Sequence, residues 1–122
     1  MRSVAPLALP LVLLSACVCS GLQQKGNLSL AQKALQERDY QEALVQAEAV
    51  ILCGDAEPGA QLQGYFVKAQ ILEQLDRKKE AAGLYAYVVH ASPGSELGYL
   101  AKARAGDLGE ICKVPEGIQA AP

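Results

Sequence analysis

Between positions 28 and 109 the apolar residues recur at the three-and-four spacing of an α-helix, and residues that end helices interrupt the stripe at four places. Leu28, Ala31 and Leu35 form a first stripe. Tyr40, Ala43, Leu44, Ala47, Val50 and Ile51 form a second after a break at Glu37 to Asp39. The CGDAEPG stretch from Cys53 stops that one, and a third runs through Leu62, Tyr65, Phe66, Ala69 and Leu72. Ala81, Leu84, Tyr85, Val88 and Val89 make the fourth, and Leu97, Leu100, Ala101, Arg104 and Leu108 the fifth. Asp39 and Asp76 are the expected caps of the second and fourth helices, with Glu42 completing a carboxylate variant of the capping box. Ser92-Pro93-Gly94-Ser95 ends the fourth helix and starts the fifth. The expectation is an all-α domain of about five helices and no strand. Aromatics at 5% and the absence of Trp suit close-packed helices better than a sheet sandwich.

The start of the chain belongs to another class of segment. MRSVAPLALPLVLLSA has one cation, Arg2, then an uncharged Leu-rich run that ends in small residues, which is the layout of an export signal. The run falls short of the roughly 20 apolar residues that span a bilayer as a helix, and Pro6 and Pro10 interrupt it. Its last four residues, Leu14-Ser15-Ala16-Cys17, resemble the lipobox of bacterial lipoproteins. The resemblance implies cleavage after Ala16 and a diacylglyceryl group on the Cys17 thiol, with a further acyl chain such as palmitate on the new amino end. Several chains on one residue anchor a protein stably to a membrane. Val18 follows Cys17 where an inner-membrane retention signal has Asp, so the expected place is the outer membrane facing the periplasm. Cys19 is an alternative acceptor with bulkier Val18 before it, and an ordinary secretory cleavage with Cys17 as an incidental thiol is the other alternative. The expected organisation is signal 1–16, lipidated Cys17 and flexible stalk 17–27, helical domain 28–110, and flexible tail 111–122.

The segment from Tyr65 to Pro93 resembles one tetratricopeptide (TPR) unit. The family's large aromatic falls on Tyr65, its small residue on Ala69 and its large aliphatic on Leu72, while Ala81, Tyr85 and Val88 occupy the second helix and Pro93 closes the unit. The physical sense is that Ala69 and Ala81 let two helices approach closely, while Tyr65, Leu72 and Tyr85 fill the space beside them. A preceding unit matches less well: Ala43 and Ala81 stand 38 positions apart where the family repeats at 34, and the CGDAEPG loop accounts for the excess. Tyr99 and Ala103 restore the spacing after Pro93. The resemblance therefore implies a short α-α (TPR-like) solenoid of two units and half a third.

Little in the chain points to chemistry. A net charge of −2 without a basic stripe disfavours nucleic acid. His90, the sole histidine, reads as a helix-end residue, and several imidazoles for a metal are lacking. No cofactor is expected. The run Asp76 to Glu80 reads as a solvated helix start, with contact to anionic headgroups as the alternative. Cys53 and Cys112 are either buried thiols or a bridge, against which stands the placing of their helix ends on opposite edges of a solenoid.

The expected function is non-enzymatic: a lipid-anchored periplasmic scaffold that binds an unidentified protein or peptide. By resemblance, its setting is outer-membrane protein, secretin or pilus assembly, or envelope maintenance. The rival is a secreted or anchored helical protein with an enzymatic or small-molecule-carrier role. Two and a half units fall below the three that repeat arrays generally need, which makes Tyr99 and Leu100, beside Gly98, Ala101 and Ala105, the expected surface for a partner helix or a second copy.

Overall fold

The structure, a computed structural model, describes residues 19–108. The expected signal 1–16, Cys17, Cys112 and the tail 111–122 lie outside the described residues. The described chain is all-α: α1 Gly21–Gln36, α2 Tyr40–Leu52, α3 Ala60–Gln74, α4 Lys78–Ala91 and α5 Glu96–Asp107, with no strand among the described residues. Each helix packs chiefly on its neighbours in sequence, and α3 also reaches α1 and α5, so short turns fold the chain into stacked helical hairpins.

The first helix starts earlier than the apolar stripe indicates, and residues 21–27 are helix rather than stalk. Ser20 caps it, its hydroxyl accepting from the Gln23 amide at 3.0 Å. Gln24 is fully buried and ties α1 to the loop after α2: its Nε2 donates to the carbonyls of Val50 (2.8 Å) and Gly54 (2.6 Å), and its Oε1 accepts from the Glu57 amide at 2.7 Å. A second link joins the same two places. Cys53 is bonded to Cys19 with their Cα atoms 5.5 Å apart, which excludes the expected alternatives of a buried thiol or a Cys112 partner. The pairing follows from the hairpin, because antiparallel packing brings the start of α1 to the end of α2. Closing a loop across a sequence separation of 34 contributes about 4 kcal/mol in the loop-entropy account.

The turns after α1 and α3 are built alike. Arg38 and Asp76 both adopt left-handed backbone (φ 64° and 62°), and the amides of Asp39 and Arg77 reach back to the carbonyls of Ala34 and Leu72, each at 2.8 Å. Corresponding residues stand 38 apart, the period of the Ala43 and Ala81 pair. Asp39 caps α2 by accepting from the Glu42 amide at 3.3 Å. The reciprocal half of the capping box is missing because the Asp39 amide is already given to Ala34, and Glu42 accepts from Gln46 instead. Asp76 is not the cap of α4. It occupies the left-handed position, Arg77 stands at the cap, and no side chain closes that helix start.

Two apolar clusters share α3. Val67 and Ile71 join Ala31, Ala34, Ala43 and Ala47 on one face, while Ala69 and Leu72 join Ala81, Tyr85, Val88 and Ala101 on the other. Most of these contacts are made by Ala, which lets backbones come close. Gly64 takes this further, since a β-carbon there lies 2.8 Å from Val50 Cγ1.

Two outcomes are expected. Gln24→Leu removes three hydrogen bonds, taking their side-chain partner from the Gly54 carbonyl and the Glu57 amide, and costs about 2–3 kcal/mol in urea denaturation with the disulfide intact. Arg38→Gly relieves left-handed strain and raises stability by about 0.5–1 kcal/mol, read in the same melts.

Candidate functional site

The fifth helix repeats the register of the third. Gly98 and Ala101 are buried like Gly64 and Val67, 34 positions earlier, and face the stack. Gly98 sits so close to the preceding turn that a β-carbon there collides with the Ser92 carbonyl. Ala101 is fully buried, and Ala105 packs against the second cluster. These three small residues therefore belong to the inner contact, and the expectation that they form a shallow outer surface is corrected.

The outer face is made by the next residues in the same register. On α3, Tyr65, Phe66 and Ala69 hold α4: Tyr65 meets Tyr87 edge-on at 5.0 Å, Phe66 meets Tyr85 edge-on at 5.5 Å, and Ala69 shares the cluster of Ala81 and Tyr85. On α5 the equivalent positions are Tyr99, Leu100 and Ala103. All three are exposed, Tyr99 by 65% and Leu100 by 49%. Among the described residues no element covers them. Tyr99 and Leu100 are thus exposed on a face whose counterpart one unit earlier carries a helix.

The face is held rigidly. Tyr85 donates to Glu73 Oε1 at 2.8 Å, and Arg104 contacts both the Tyr85 hydroxyl (3.5 Å) and Glu73 Oε1 (3.4 Å), so one polar triad joins α3, α4 and α5. Burial, with Glu73 alongside, pushes the Tyr85 phenol well above its ordinary range. Of the other residues matched to the repeat pattern, Leu72, Ala81 and Val88 are buried with Tyr85, whereas Pro93 is exposed in the turn and fills no part of the core.

A cleft of about 240 Å³ opens on the side where α1, α3 and α5 line up, walled by Gln36, Arg38, Tyr40, Gln70, Gln74 and Arg104. Carboxamides, guanidinium groups and the Tyr40 phenol make this wall, and none of the six is a carboxylate, imidazole or thiol. His90 is exposed in the last turn of α4, and the run Asp76 to Glu80 is an exposed, largely paired helix start with Arg77 on Glu80 (2.7 Å) and Lys78 on Asp76 (3.8 Å). Among the described residues no cluster of metal-ligating side chains occurs, and no helix is long and apolar enough to cross a membrane.

At the edge formed by the start of α1 and the end of α2 lie the disulfide, Gln24, and two leucines that sequence reasoning passed over. Leu22 and Leu52 are 83% and 81% exposed. The one available signal was Ser20-Gly21-Leu22-Gln23, a capping-box pattern that marks a helix start at that place. Comparison with protein-family models, curated proteins and solved structures returned no match.

Because the Tyr85 phenol is raised, its contribution to stability is complete below the unfolded-state value of about 10 and is lost as pH climbs beyond it. The difference between the alkaline absorbance titrations of the parent and Tyr85→Phe is expected to show Tyr85 ionising only as the helical signal collapses. Near neutral pH, Tyr85→Phe costs about 1–2 kcal/mol in thermal melts.

Proposed function

We propose that this chain is a bacterial envelope lipoprotein, anchored through acylated Cys17, whose helical domain is a non-enzymatic scaffold for another protein. The observation that carries the reading is the bare outer face of α5. It reproduces, 34 positions on, the surface with which α3 holds α4, and it exposes Tyr99, Leu100 and Ala103. An aromatic and a large aliphatic side chain on a rigid helix, beside a small residue that admits a close approach, suit a docked helix from a partner or a second copy.

Two features support the anchoring. The Cys19–Cys53 bond is the kind that persists in oxidising compartments such as the periplasm. It also engages the sulfur of Cys19, which favours Cys17, in the sequence Leu14-Ser15-Ala16-Cys17, over Cys19 as the thiol for the lipid. The tetratricopeptide-like pattern supports a scaffold of stacked hairpins that works through faces rather than through a reactive pocket.

Cys17→Ala is expected to abolish metabolic lipid labelling and detergent partitioning while circular dichroism stays helical; retention of label by the variant defeats the assignment of the anchor. For the scaffold, Leu100→Glu is expected to lower cross-linking of the membrane-bound protein to its envelope partner or second copy by about tenfold, at unchanged thermal stability. Undiminished cross-linking rules out the α5 face.

A further inference from the structure

The two large apolar side chains most exposed in the described chain are Leu22 and Leu52, and both stand at one edge beside the Cys19–Cys53 bond. Leu52 is the residue before Cys53, and Leu22 lies in the first turn of α1, three residues after Cys19. Other exposed apolar side chains of that size, such as Leu75 at 36% and Tyr99 at 65%, are covered to a greater degree. Single exposed leucines are ordinary on a protein surface, but these two share one edge, where an apolar medium would accept both.

The covalent nearness of Cys17, the residue proposed above to carry the lipid, points to a bilayer as that medium. Cys17 precedes Cys19 by two residues, so its Cα lies at most about 7 Å from that of Cys19. Cys19 is bonded to Cys53, Ser20 caps α1, and Gln24 locks α1 to the following loop, so nothing in residues 19–24 can act as a spacer. We infer that the edge carrying Leu22, Leu52 and the disulfide seats directly on the bilayer, the two leucines entering the interface beside the acyl chains of Cys17. The inference rests on the acylation of Cys17 proposed above and deepens it: the anchor is a short, stapled foot rather than a stalk.

Charge at the foot makes the contact an apolar one. Lys25 pairs with Glu57 at 3.7 Å, and Asp55, which accepts from the Gln61 amide, adds a further carboxylate, so no excess of cations faces the headgroups. Consecutive helices run antiparallel, which puts the starts of α1, α3 and α5 and the ends of α2 and α4 on this same edge. The helices therefore stand on the membrane, and the bare face of α5 looks along its plane, toward other proteins held in the same leaflet. The opposite edge, with Leu75 in the α3 to α4 turn, is raised by the length of a helix, about 20 Å.

The chain has no Trp, which makes a single introduced indole a clean reporter. The acylated full chain is reconstituted in vesicles of phosphatidylethanolamine and phosphatidylglycerol, with or without phosphatidylcholine brominated on its acyl chains. Leu22→Trp, Leu52→Trp and Leu75→Trp are compared, with mass spectrometry of Cys17 and circular dichroism on each. The leucines are exposed, so the indoles disturb no core. Expected are blue-shifted emission and quenching of about twofold or more for Leu22→Trp and Leu52→Trp, unchanged in high salt, and neither effect for Leu75→Trp. If Cys17 is acylated but the first two are quenched no more than the third, the seating is overturned and the lipoprotein reading stands. Equal quenching of all three means that the domain lies flat, and quenching that salt abolishes means headgroup electrostatics; each overturns the seating. An unmodified Cys17 overturns the lipoprotein reading and the foot together.

Discussion

The stack depends on α3 being buried on two faces at once. Val67 and Ile71 serve the cluster built with α1 and α2, and Ala69 and Leu72 serve the one built with α4 and α5. A helix in that position carries apolar residues on two faces, and its partners can crowd it from both sides only because the contact residues are small. Ala31, Ala43, Ala47, Ala69, Ala81 and Ala101 are all fully buried, and Gly64 admits Val50 where even a methyl group would be tight. Such contacts gain their energy from close van der Waals packing rather than from large side chains.

Small contact residues bury modest apolar area, so other links hold the ends. At one edge the Cys19–Cys53 bond and the three hydrogen bonds of Gln24 fix α1 to the loop after α2. At the far side of the stack the triad of Glu73, Tyr85 and Arg104 fixes α5 to α3 and α4. Both devices satisfy their buried polar atoms, and none is left without a partner among the described side chains. The first hairpin is thereby stiff up to the residue that precedes the described helices, and the last helix is stiff up to the face it shows to solvent.

The functional reading follows from where this stiffness leaves apolar surface. A described stack of five helices ends on the first half of a hairpin, and that half presents the face which its predecessor uses to bind the second half. The surface is thus shaped by the same contact rules as the core. The leucines at the disulfide edge have a different origin, since no helix in the stack is positioned to cover the side of the first hairpin from which the chain emerges.

The sequence by itself determined the number and order of the helices and most of their ends. Spacing along a helix is a local property, so the stripes and the Asp39 cap are legible one turn at a time. Asp76 misleads at that level, because a short acidic residue serves equally as a cap or in left-handed backbone, and the reach of the Arg77 amide back to Leu72 selects the second. Only the tertiary structure decided which residues meet across the stack. Cys19 finds Cys53, Gln24 finds the loop at residues 54–57, and Gly98 turns inward while Tyr99 and Leu100 turn out, because each depends on which helix ends share an edge and which faces already have a neighbour. Those are properties of packing between segments, and no periodicity within a segment encodes them.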